Sequence, residues 1–332
     1  MSESSEGPGE RDAERERPRG IAAPLEELRS QLEHTRAQLE ETNAKIEAKA
    51  GRNLFLAIGS GLLLGAIFLG SVLFLPEIFA IVVALVVSVT VLEIVNAFRA
   101  SGRRVPRIGG ILGALMIIGG AWFWGAEGML LGLVAGALVL TAWRLIEGLL
   151  PRFTVPPKTL LRDVMAGIFC LVYVPFLAAF TLLLIQGERG EWWVLTLVAV
   201  VVSIDIGAYA AGVTLGKHKM TPRISPNKTW EGFAGAAVFG LTCAILLAVF
   251  ALQQPWWVGV ILGLLLLLTA TGGDLTESLI KRNLGVKDMS SWIPGHGGIL
   301  DRLDSILPSA PAAYLVFLAV GTAASLPGSL AG

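Results

Sequence analysis

The sequence predicts an all-α polytopic membrane protein of about nine transmembrane helices, preceded by a short coiled-coil-like helix and carrying its charge in cytosol-facing loops. Three observations predict it. Hydrophobic residues are 54% of the 332 and charged residues 16%, and the mean hydropathy of +0.69 lies well above that of an ordinary soluble domain. Nine stretches reach the roughly 20 apolar residues that a helix needs to cross about 30 Å of hydrocarbon. Charge is nearly absent from these stretches and gathers in alternate loops between them.

Residues 1–20 are rich in Ser, Glu, Arg, Gly and Pro, with too little to bury, and are expected to be a disordered tail. Across residues 21–50 the texture changes. Leu25, Leu28, Leu32, Thr35, Leu39, Thr42 and Ile46 follow alternating steps of three and four, the seam of a short coiled coil that could pair in a homodimer or lie on the membrane surface. Residues 51–332 form the membrane domain, with spans near 54–75, 78–98, 108–126, 129–150, 164–185, 192–215, 232–253, 256–280 and 306–327. Small residues from Gly207 to Gly216 predict close helix contact at one face.

Loops 99–107, 151–163, 216–230 and 281–305 hold fifteen Lys and Arg, and the opposite loops hold only Arg189. The positive-inside rule then places the N-terminus in the cytosol and, with nine spans, the C-terminus outside. Net charge is zero, which gives no reason to expect a nucleic-acid partner. Cys170 and Cys243 both fall in apolar spans, so no disulfide framework is implied. The polar first fifty residues argue against a cleaved signal peptide. No internal repeat of the kind built into many carriers is visible, which weighs against a transporter.

An ionisable group deep in a bilayer costs roughly 2.5–3.5 kcal/mol on insertion scales. Asp205 and Asp274 therefore need reasons, and pairing with a nearby Lys or hydroxyl is one that stays open. Glu93 and Glu147 lie near the cytosolic ends of their spans, where they are expected to reach the interface, and receive no function. Loop 216–232 gathers Lys217, Ser225, Lys228 and Thr229 before a helix. Its donors and the free N–H groups of the helix start suit a phosphate cradle.

The stretch from Ser278 to Ser305 is denser. Asp301 and Asp304 stand three apart, on one face if helical, with Cβ atoms about 5–6 Å from each other. Two carboxylates that close call for a cation, and oxygen ligands of this kind suit Mg²⁺, which completes its shell with water and phosphate oxygens. Asp274 can add a third carboxylate. Lys281, Arg282, Lys287 and Arg302 supply positive charge, Asp288 is either a ligand or an ion-pair partner, and glycines around His296 let backbone approach a ligand. No partner of zinc-ligand spacing accompanies His296, which fits donation to a phosphate oxygen instead.

The pattern Ser278, Lys281-Arg282, Lys287-Asp288, Ser290, Ile293-Pro294, His296-Gly297-Gly298, Asp301-Arg302 and Asp304 fills 27 residues without a gap. It resembles the signature of the phosphatidate cytidylyltransferases, the CDP-diacylglycerol synthases. Asp205, Ala208-Tyr209, Gly212, Gly216-Lys217 and the segment from Ser225 to Gly232 resemble that family too, with Asn227 standing where a second Lys is usual. The resemblance implies transfer of CMP from CTP to phosphatidate with release of pyrophosphate, at a bacterial cytoplasmic membrane and on its cytosolic side. It implies Mg²⁺ in a two-metal site, with a monovalent cation such as K⁺. It also implies Asp274, Asp301 and Asp304 as metal ligands, with Lys281, Arg282, Lys287, His296 and Arg302 on triphosphate or lipid phosphate. A CTP-dependent polyprenol kinase, or a cytidylyltransferase for another lipid phosphate, would carry similar residues.

Residues 1–48 contain none of these candidates. Their deletion is expected to leave turnover largely intact while weakening any dimer held by the Leu25–Ile46 seam, measured by activity and light scattering in detergent. Loss of turnover in a truncated protein that remains folded and inserted would overturn this division of labour.

Overall fold

The computed structural model describes residues 54–150, 155–222, 224–286, 289–290 and 298–325; the proposed coiled coil lies outside them. The described residues are mostly helical. α1 (Leu54–Phe74) ends where Pro76, disfavouring helix at Leu75, begins α2 (Pro76–Ala100). α3 spans Arg107–Leu149. α4 (Pro157–Leu171) runs through a π-helical turn, Val172–Phe176, into α5 (Leu177–Ile185). The wider turn accommodates Pro175, which has no N–H to donate. α6 (Gly190–Leu215) leads to an antiparallel hairpin of β1 (Lys219–Thr221) and β2 (Ser225–Thr229). α7 (Trp230–Phe250), α8 (Trp256–Leu284), the four-residue α9 (Leu300–Leu303) and α10 (Ile306–Ser325) complete the order.

Among the described residues, seven helices are long and apolar enough to cross a membrane. The sequence separates 108–126 from 129–150, and α3, 43 residues long, is broken by a kink at Trp124 and Gly125. Gly125 has φ 62° and ψ −146°, a conformation that residues with a Cβ avoid. The chain folds back there. A Cβ on Gly136 would sit 2.8 Å from Gly113 Cα, and one on Gly120 would overlap the Gly128 carbonyl. The two halves of α3 therefore touch backbone to backbone, as small residues allow in lipid.

The Gly207–Gly216 contact expected from sequence is present. α6 and α7 pack closely, with Gly207 against Gly235 and Gly212 against Gly232. The hairpin was not legible, because its strands of three and five residues are too short to show a period. Thr229 closes it and also caps α7, its Oγ1 accepting the Gly232 N–H at 3.1 Å.

Adjacent positions in α3 test the fold-back. Gly120→Leu is expected to destabilise the detergent-solubilised protein by about 1–3 kcal/mol. Gly119→Leu, where an added Cβ meets nothing within 4 Å, should leave the thermal transition near wild type. Equal transitions for the two variants would refute close packing of the halves.

Candidate active site

The hairpin and four helices, α6 to α9, line a cavity of about 410 Å³. α6 contributes Asp205 and Tyr209, β2 contributes Ser225, Asn227, Lys228 and Thr229, and α8 contributes Thr271 and Asp274. Asp301 comes from α9, with Asp304 and Ser305 just after it. Phe233, Ala236 and Ala270 give an apolar wall. Residues nearly a hundred positions apart thus share one space.

The charges inside are partly matched. Lys228 Nζ lies 2.6 Å from Asp274 Oδ2. Lys281 Nζ lies 3.0 Å from Glu277 Oε2, one helical turn earlier, and 3.1 Å from Asp301 Oδ1. Asp301 Oδ2 accepts the Gly298 N–H at 3.0 Å, and Asp304 Oδ1 accepts the Ser305 N–H at 2.7 Å. Against two paired lysines stand four cavity-lining aspartates and Glu277, which is 2% exposed.

Glu277 Oε1 is buried without a hydrogen-bond donor, and the carboxyls of Asp301 and Asp304 interact with the same side chain. Such crowding of carboxylates suits a cation. Among the described residues no three His, Cys, Asp or Glu side chains are arranged to hold an ion by themselves. That donor set fits Mg²⁺, which usually retains several waters and takes only one or two carboxylates plus substrate phosphate oxygens.

A second, basic cleft of about 590 Å³ adjoins the cavity at Ser225, lined by Pro226, Ser278, Lys281, Arg282 and Gly285 among others. Arg282 Nε donates to the Ile224 carbonyl at 3.4 Å across it. Other expected residues stand apart. Lys217 lines neither space, and its backbone N–H is held by Glu231 Oε2 at 3.1 Å. Arg302 is exposed on α9 and also lines neither. Lys287, Asp288 and His296 lie outside the described residues.

Sequence reasoning passed over two acids. Glu277 had a usable signal, its four-residue spacing from Lys281 on one helix. Glu93, expected to reach the interface, is instead 1% exposed and accepts three hydrogen bonds from the far end of the chain. No local pattern announces partners about two hundred residues away. Gly298 also has a task within the chain. A Cβ there would meet Asp301 Oδ2 at 3.0 Å and Glu93 Oε2 at 3.3 Å, so its bareness admits two of the protein's own carboxylates.

Residues 56–320, a range that contains the cavity, the cleft, α2 to α9 and most of α10, match the cytidylyltransferase family. The chain belongs to that family. It is similar to a phosphatidate cytidylyltransferase of Mycobacterium bovis, 41% identical over 274 residues that cover 81% of this chain and 90% of that protein. One of Mycobacterium leprae is 40% identical, covering 80% of this chain and 88% of the relative. A third, of Brucella melitensis, is 39% identical over 201 residues, 60% of this chain and 72% of the relative. Cytidylyltransferases are nucleotidyltransferases, and the seven long apolar helices among the described residues are those of an integral membrane member of the family.

Proposed function

We propose that the chain transfers a cytidylyl group from CTP to phosphatidate, giving CDP-diacylglycerol and pyrophosphate. The observation that carries this reading is the junction of an acidic cavity with a basic cleft at Ser225 and Lys281, inside an apolar bundle. A polyphosphate needs both kinds of surface, and a lipid acceptor needs a site set among membrane helices. The names of the relatives support phosphatidate as that acceptor.

An oxygen of the phosphatidate phosphomonoester attacks the α-phosphorus of CTP, and the bond from that phosphorus to the β-phosphate oxygen breaks. The attacking oxygen is already anionic, so no general base is required. The barrier is repulsion between polyanions, and fixed cations aimed at the phosphates lower it. Lys281 and Arg282 face the cleft where a triphosphate would lie. Lys228 can exchange Asp274 for a phosphate oxygen. Asp274, Asp301 and Asp304 would hold Mg²⁺ in a two-metal site, each ion taking one or two of them, with Asp205 and Glu277 adding negative charge around it. When bound there, Mg²⁺ supplies charge neutralisation and a template for phosphate oxygens.

The two halves of α3 and α1 can each be read as a span, bringing the number to nine. With the fifteen-to-one division of Lys and Arg between loops, this gives a cytosolic N-terminus and a cytosolic opening of the site. CTP, a cytosolic solute, then reaches the cleft directly. Cysteine introduced at Glu188 is expected to react with an impermeant maleimide in intact cells, and cysteine at Lys158 only after permeabilisation. The reverse labelling would invert the orientation.

Asp301→Asn and Asp304→Asn are each expected to lower Mg²⁺-dependent pyrophosphate release from CTP and phosphatidate by about 10²-fold or more. Asn keeps the size and one oxygen but loses the charge. Membrane insertion should persist. Near-wild-type rates for both variants at limiting Mg²⁺ would remove the metal-ligand assignment. Wild-type protein inactive on phosphatidate but active on a polyprenol would move the acceptor.

A further inference from the structure

Glu93 is a buried carboxylate that lines neither the cavity nor the cleft. It stands in α2 with 1% exposure and has no salt bridge among the described residues. Three donors share its two oxygens. Ser290 Oγ at 2.5 Å and Ile299 N at 3.0 Å meet Oε1, and Leu300 N at 2.9 Å meets Oε2. The donors lie 197, 206 and 207 residues away in sequence.

Ile299 and Leu300 begin α9, where backbone N–H groups have no acceptor inside the helix. A neighbouring side chain normally satisfies such groups from the N-cap position. Here no side chain of the N-cap residue, Ile299, does so, and the acceptor comes from another helix. The preceding N–H, that of Gly298, goes to Asp301 Oδ2. α9 has only four residues, and through Asp304, whose backbone is also helical, it runs on toward α10 as the first turn of one apolar span. Glu93 therefore holds the N-terminal end of this helical run, the end that carries Asp301 and Asp304.

We propose that Glu93 is a positioning residue for the transfer reaction: its carboxylate caps α9 from α2 and so fixes the aim of Asp301 and Asp304 into the cavity. This rests on the reading of those aspartates as serving cytidylyl transfer. A carboxylate is suited to the task because it accepts on both oxygens. A glutamine would turn an NH₂ toward an N–H donor and lose charge-assisted hydrogen bonds.

The full-length chain in detergent tests it through Glu93→Gln, Gly298→Ala and Ser290→Ala. Two readouts are followed: amide hydrogen exchange of peptides containing Ile299 and Leu300, and kcat with CTP and phosphatidate across a Mg²⁺ titration. Glu93→Gln is expected to speed exchange of those amides about tenfold or more, the equivalent of about 1.4 kcal/mol. It should also lower kcat about tenfold and raise the Mg²⁺ needed for half-maximal rate, with the KM for phosphatidate unchanged. Gly298→Ala, which crowds both carboxylates from the loop side, should move both readouts in the same direction and serves if Glu93→Gln does not fold. Ser290→Ala leaves the two backbone bonds in place and should stay near wild type in exchange. Unchanged exchange in a folded variant would overturn the cap. Faster exchange with wild-type kcat and Mg²⁺ dependence would overturn its role in positioning. If wild-type protein fails to transfer to phosphatidate, the proposed function falls while the exchange arm still decides the cap.

Discussion

Hydrocarbon offers a buried charge no water, and that constraint organises the molecule. Arg144 shows it away from the reaction cavity. Its Nε and one terminal nitrogen reach Asp163 Oδ2 at 3.2 and 2.9 Å, with the two side chains 0% and 1% exposed. Asp163 Oδ1 also accepts the Arg104 N–H at 3.0 Å. One carboxylate thereby joins α3, α4 and the turn after α2. A buried pair of this kind need not exceed an apolar pair in stability, but loss of either partner strands a charge, so the pair enforces one arrangement of the helices.

The reaction cavity is where charge stays unbalanced. Its aspartates and Glu277 outnumber Lys228 and Lys281, the lysines that pair with them. Close helix packing makes this local crowding possible. Glycines on α6 and α7 bring two backbones together, which leaves Asp205, the hairpin and Thr229 facing a common space with α8. The hairpin then carries Lys228 to Asp274 on one side and offers Ser225 to the basic cleft on the other. In the proposed reaction, the surplus of carboxylate meets the metal and the surplus of cation meets the triphosphate.

Much of the fold was legible because lipid imposes a simple rule. Apolar stretches of sufficient length had to be helices, and the stripe from Gly207 to Gly216 had to pack closely. Their ends were less legible. α8 continues to Leu284 and α4 starts at Pro157, several residues beyond the apolar runs, because a helix satisfies its backbone internally and can run past the apolar stretch. Within the candidate site, Asp205, Asp274, Asp301, Asp304, Ser225, Lys228 and Thr229 were all visible as charged or polar groups in unusual places, and they share one cavity. Lys217 had the same sequence credentials and lies outside it, since it sits in the exposed link between α6 and the hairpin.

The sequence by itself determined the membrane class, the segregation of charge and the short-range spacings that mark Asp301, Asp304 and the Lys281-Arg282 pair. These follow from hydropathy and from chemistry within a few residues, both of which are written locally. Tertiary structure decided which charges meet. It paired Lys228 with Asp274, placed Lys281 between Glu277 and Asp301, folded α3 back at Gly125, and buried Glu93 against the start of α9. Contacts across two hundred residues depend on how whole helices pack, and packing is settled by many side chains at once, with no trace in the residues immediately around either partner.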